Sequence, residues 1–139
     1  MKRWGLCILR ISTGWLLVMW GLDKLVNVDH GVAVADSFYF GIGNSALFLS
    51  VFGVLEALLG VLVVLGLWRR RTYPLMFLIL GVTAVAVWRS ILDPWGWFIE
   101  GANVLFYPSI IIAAGAAVLW GTMDEDHMTL DHRMGGAGS

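Results

Sequence analysis

At 139 residues the chain has single-domain length, but 59% of it is hydrophobic and only 14% is charged, which excludes an ordinary soluble domain. The net charge of −1 offers no electrostatic footprint for nucleic acid. The single cysteine, Cys7, excludes an intramolecular disulfide and thiol relay chemistry within the chain.

The apolar residues fall into long runs. A hydrocarbon core of about 30 Å needs roughly 20 mostly apolar residues per helix, and four segments reach that length: 4–26, 44–68, 73–92 and 103–121. The expectation is an all-α membrane protein, a four-transmembrane-helix bundle occupying 1–122, with a polar cytoplasmic tail at 123–139. Six of the nine basic residues lie on one side: Lys2 and Arg3 before the first run, Arg69, Arg70 and Arg71 in the second loop, and Arg133 in the tail. The first and third loops hold no Lys or Arg. The positive-inside tendency therefore predicts an N-in/C-in arrangement. The first run is too long for a signal-peptide core and carries Arg10, so it is expected to stay in the protein.

Along the first run, Arg10, Gly14, Leu17, Gly21 and Lys24 recur at a 4-3-4-3 spacing and share one helix face. Glycines on that face let another helix approach closely, and the charges must meet protein or a wet cavity because lipid cannot solvate them. The outer loop, Asn27 to Gly43, is long for a bundle connection. Its mixed composition predicts a short interfacial helix that dips Phe38, Tyr39 and Phe40 into the headgroups.

In the second run Gly53, Glu56 and Gly60 share a face, with Glu56 near mid-span. A carboxylate at that depth costs roughly 2.5 to 3.5 kcal/mol on insertion scales, so it is expected to be paired or protonated. The favoured network joins Glu56 to Lys24 and to Arg89 of the third run, with Arg10 as a deeper alternative. Two plainer readings stay open: Arg89 four residues before Asp93 can pair with it, and Lys24 can snorkel to the outer surface. In that case the charges only fix helix register. Otherwise they hold a quinone, a proton or a small polar ligand, with Glu56 as the candidate catalytic residue.

The third loop, DPWGWFIEG, carries Trp95, Trp97 and Phe98, side chains of the kind that collect at the membrane boundary. The fourth run opens with Asn103 and Tyr107 on one face and Pro108 after them, predicting a kink. The run AAGAA, with Gly115 at its centre, predicts a tight helix contact. His30, His127 and His132 all lie outside the runs, so the paired ligands of a membrane-embedded haem are missing and no intrinsic cofactor is expected. The segment DEDHMTLDH gathers Asp124, Asp126, His127, Asp131 and His132 without a recognised ligand spacing, and it reads as a solvated acidic tail in preference to a metal site.

These pieces, in this order, resemble the DoxX family of small four-span bacterial and archaeal membrane proteins. The resemblance is carried by the arginine and glycine in ILRISTGWLLVMWGLDKL, by the G-x-x-K of Gly21 and Lys24, and by FGVLEALLGVLVVLGLWRR. The YP of Tyr107 and Pro108 and the closing Thr129, Leu130 and Asp131 complete it. The acidic DEDH replaces the small glycine-containing turn usual in the family before the Leu-Asp element, and the loops are unusually rich in Trp. The resemblance implies residence in a bacterial or archaeal inner membrane and a redox neighbourhood, since such proteins accompany membrane sulfur oxidation, thiosulfate:quinone oxidoreductase and oxidative-stress assemblies. From this follow two expectations of function. The first is an accessory or anchoring subunit of a membrane redox or respiratory-type complex, with other membrane subunits, or further copies of itself, as partners. The alternative is a quinone-interacting subunit of a sulfur-compound oxidoreductase, with a small transporter or lipid-handling protein as a weaker third.

Overall fold

The structure is a computed structural model that describes residues 1–26 and 46–133. Helix α1 runs Lys2–Val26, α2 Ala46–Leu65, α3 Arg69–Ala86, α4 Trp88–Leu92, α5 Ser109–Gly121 and α6 Leu130–Arg133. Single 3-10 turns at Val104–Phe106 and Met123–Glu125 precede and follow α5. No strand occurs among the described residues. The anticipated interfacial helix with Phe38, Tyr39 and Phe40 lies outside the described residues, as does the end of the tail beyond Arg133.

Among the described residues three segments are long and apolar enough to cross a membrane: Lys2–Val26, Leu47–Leu65 and Val104–Gly121. The third expected span differs from its forecast. Its helix starts four residues early, so that Arg69, Arg70 and Arg71 form the first turn of α3 instead of a loop, and the helical hydrogen bonding breaks at Val87. The fourth run is also divided. Pro108 stands at the N-cap of α5, where a missing N–H costs nothing, and the kink expected within one helix becomes a junction between a 3-10 turn and α5.

Helices α1 and α2 form the closest pair and run antiparallel. A Cβ built on Gly14 would lie 2.8 Å from the Gly60 carbonyl oxygen, and one on Gly21 would lie 2.5 Å from that of Gly53. Only hydrogen fits at those four positions, and their seven-residue separation on both helices puts two backbone contacts on one seam. The inward face of α1 holds Arg10, Gly14, Leu17 and Gly21, all buried, while Ile8, Ile11, Trp15, Met19 and Leu22 are exposed on the opposite face. That division is the inverse of a soluble helix bundle, with small and polar groups inside and large apolar groups outside.

The core joins this pair to α3 and α5 through Leu17, Leu59, Val63, Tyr73, Met76, Leu80, Ala116 and Leu119. On α5 the small residues Ala113 and Ala116 face inward, and a Cβ on Gly115 would come within 3.1 Å of Leu9, so the AAGAA run sits where helices meet. Phe77 of α3 and Trp120 of α5 close one edge, with ring centroids 5.7 Å apart.

Candidate functional site: two polar centres in an apolar bundle

The first centre straddles the Gly21–Gly53 contact, with Lys24 on one side of it and Glu56 on the other. In this antiparallel pair three residues past each glycine leads in opposite directions, but helical side chains lean toward their own N-terminus, so Lys24 and Glu56 reach back across the close crossing and meet. Lys24 Nζ stands 2.8 Å from Glu56 Oε2, and 5.5 Å from the centroid of the Phe52 ring beneath it. The Lys24 ammonium donates to the Trp20 carbonyl oxygen at 3.5 Å. Glu56 is 1% exposed and ion-paired with Lys24 through Oε2, and its Oε1 has no hydrogen-bond partner among the described residues. The Lys24 side chain is 22% exposed, so the pair lies at the edge of the bundle.

Such a pair can hold its proton on nitrogen or on oxygen, and Glu56 Oε1 has lone pairs available for an incoming O–H group. The adjacent ammonium has donors for a carbonyl oxygen.

Arg89 does not join this centre. Its guanidinium carbon lies 5.6 Å from the Trp88 ring centroid, and among the described residues it forms no ion pair with Glu56 or with Asp93. Val87, at φ −99° and ψ 26°, departs from helical geometry, so the register of an unbroken helix does not carry over to Arg89. Asp93 instead accepts hydrogen bonds from the backbone N–H groups of Phe98 at 2.6 Å, Ile99 at 2.9 Å and Trp97 at 3.1 Å. Led by the Phe98 bond, these donors lower the Asp93 pKa below its ordinary value. Asn103 and Tyr107 are likewise apart from Glu56. The Asn103 side chain accepts from Leu105 N at 2.9 Å, its own N–H donates to Ser90 Oγ at 2.9 Å, and Tyr107 is exposed.

The second centre is at the opposite end, where α1 begins and α2 stops. Arg10, 3% exposed, donates from Nη1 to Asp126 Oδ2 at 2.5 Å, from Nη2 to the Met128 carbonyl at 2.7 Å and from Nε to the Val64 carbonyl at 3.2 Å. Arg69 donates to the carbonyl oxygens of Met123 and Asp126 and stands 3.4 Å from Asp131 Oδ2. Asp131 is completely buried and also accepts the N–H groups of Trp68 and Arg69, both at 3.0 Å. The Tyr73 side chain is buried against these charges.

The solvated tail expected from composition is therefore replaced, over 123–133, by a segment folded back onto the bundle. Its physical reason is the cost of leaving Arg10 and Arg69 buried without anions. Chain turning at Gly66, whose φ is +70°, makes room for Thr129, which a Cβ on Gly66 would meet at 2.5 Å. The sequence does not mark Arg69 and Tyr73 as site residues, and it presents Asp126 and Asp131 only as part of a solvated acidic tail. The signal for the aspartates is that a buried arginine requires a carboxylate, and the tail is where carboxylates cluster. His127 and His132 stack with ring centroids 4.7 Å apart, and no group of three or more metal-ligating side chains is assembled among the described residues.

The DoxX family model matches residues 5–89, from the first turns of α1 to Arg89. The chain belongs to the DoxX family. That region holds Arg10, Lys24, Glu56 and Arg69, whereas the partners Asp126 and Asp131 lie beyond it. Membership together with the apolar helices places the protein in a membrane. No curated protein and no solved structure matches the chain.

Proposed function

We propose that this DoxX protein is an accessory or anchoring subunit of a membrane redox or respiratory-type complex in a bacterial or archaeal inner membrane. In this reading it crosses the bilayer four times, with α3 and α4 as the additional pass and both termini inside. The observation that carries the reading is how the chain spends its polar groups. Arg10, Arg69 and their aspartates close one end of the bundle on itself, while the outer faces are apolar and carry exposed Trp4, Trp15, Trp88 and Trp120. A bundle so organised offers lipid-facing and helix-docking surface. Blue-native electrophoresis of native membranes tests it. The chain is expected in an assembly much heavier than itself, and migration only as a monomer or a pure homo-oligomer would count against the proposal.

The second reading is a quinone-interacting subunit, favoured by one observation: Glu56 is buried beside Lys24, and its Oε1 has no hydrogen-bond partner among the described residues. Lys24 would donate to a quinone oxygen and Glu56 would give or take the proton that accompanies reduction. Glu56→Gln should abolish quinone-linked activity of the native assembly while leaving the bundle folded, and full activity in that variant would remove this reading.

A further inference from the structure

At the end that carries the tail, the fold sorts the basic residues into two kinds. Arg10 and Arg69 are buried against Asp126 and Asp131, and Lys2 is paired with Glu125 at 2.7 Å. Arg70 and Arg71, the second and third residues of α3, remain exposed, and no carboxylate of the described residues is paired with either. Beside them Trp68, 52% exposed, is held in the left-handed region at φ 50°, its N–H committed to Asp131. Since Asp131 takes the first amides of α3, any ligand at this corner meets guanidinium groups and an indole instead of a helix terminus.

The surface continues down α3 from Arg71 as Leu75, Leu78 and Val82, all exposed, at a 4-3-4 spacing that places them on one stripe. A stripe of large apolar side chains leading away from two unpaired cations matches a molecule with an anionic head and a long apolar chain. We propose that Trp68, Arg70 and Arg71 bind the phosphodiester head of an anionic phospholipid, with an acyl chain lying along Leu75, Leu78 and Val82. Planar guanidinium groups match phosphate oxygens in bidentate fashion, and Trp at the interface sits at headgroup level. The stripe selects a lipid over free phosphate. This inference needs only the membrane location and is independent of the redox reading.

Native mass spectrometry of the detergent-purified chain, offered equal phosphatidylglycerol and phosphatidylcholine, tests it. The unmodified protein should retain phosphatidylglycerol preferentially. Each arginine is worth about fivefold in affinity, so R70Q/R71Q should lose roughly 25-fold of that preference, whereas R3Q/R133Q keeps it. Equal retention of the two lipids by the unmodified chain, an undiminished preference in R70Q/R71Q, or protection from heat by inorganic phosphate as strong as that by phosphatidylglycerol would overturn the proposal. Should R70Q/R71Q fail to fold, retention by the unmodified chain in rising salt decides: release supports it and indifference to salt overturns it.

Discussion

Alanine at Gly21 should prise α1 from α2. Its Cβ would stand 2.5 Å from the Gly53 carbonyl oxygen and 2.6 Å from Ala57 N, and ordinary contact begins near 3.4 Å, so the backbones must part by about 1 Å. Both obstructing atoms belong to a helix backbone and have no rotamer to escape into. Overpacking of this kind costs about 1–3 kcal/mol, against which the better helix propensity of alanine returns roughly 0.5–1 kcal/mol. The net expectation for G21A, and for G60A at the other contact, is a loss of about 0–2.5 kcal/mol. Gly5 of α1 and Gly81 of α3 have no atom within 4 Å of a built Cβ, so G5A and G81A keep only the propensity gain and should be neutral or stabilising. Thermal unfolding of the four variants in one detergent makes the comparison. If G21A and G60A melt no lower than G5A and G81A, the backbone seam between α1 and α2 is not as described.

The second centre gives a larger effect. Asp126→Ala strands Arg10 in a buried site and should cost about 3–5 kcal/mol, whereas replacing both partners by apolar residues, as in R10M/D126L, should recover much of the loss. Melting temperatures of the single and double variants check this, and equal damage in both would argue against an isolated pair. Asp131→Ala should expose the N–H groups of Trp68 and Arg69, read as faster hydrogen exchange at those two amides with little change at Ile99. Asp93 makes a pH-dependent prediction. Its folded pKa lies below the ordinary 3.8, so its contribution is complete above about pH 3.8 and is lost as pH falls through the lower folded value. Protection of the Trp97, Phe98 and Ile99 amides, corrected for intrinsic exchange, should therefore hold at neutral pH and decline only in strong acid, and D93N should abolish that pH dependence.

Periodicity made the helices legible because membrane spans must be long and apolar, and it placed Lys24 and Glu56 on glycine-bearing faces that the structure brings into contact. Azimuth was harder. Counting rise along 73–92 as one helix puts Arg89 in the Glu56 network, but the non-helical geometry at Val87 breaks that count before Arg89 is reached. Pro108 misled in a related way, since a proline that caps a helix and one that bends it look alike in sequence. The folded tail was hidden by composition: DEDHMTLDH reads as solvated until Arg10 and Arg69 are known to be buried. Their aspartate partners lie 116 and 62 residues away, beyond the range of any local pattern.

The proposal that the protein works as a subunit is tested most directly by isolating it from native membranes in mild detergent. Everything that accompanies it is then weighed by mass spectrometry, and an optical spectrum is recorded on the same sample. A stoichiometric membrane partner whose haem, flavin or other redox group is visible in that spectrum is expected. A colourless preparation containing this chain alone would contradict it.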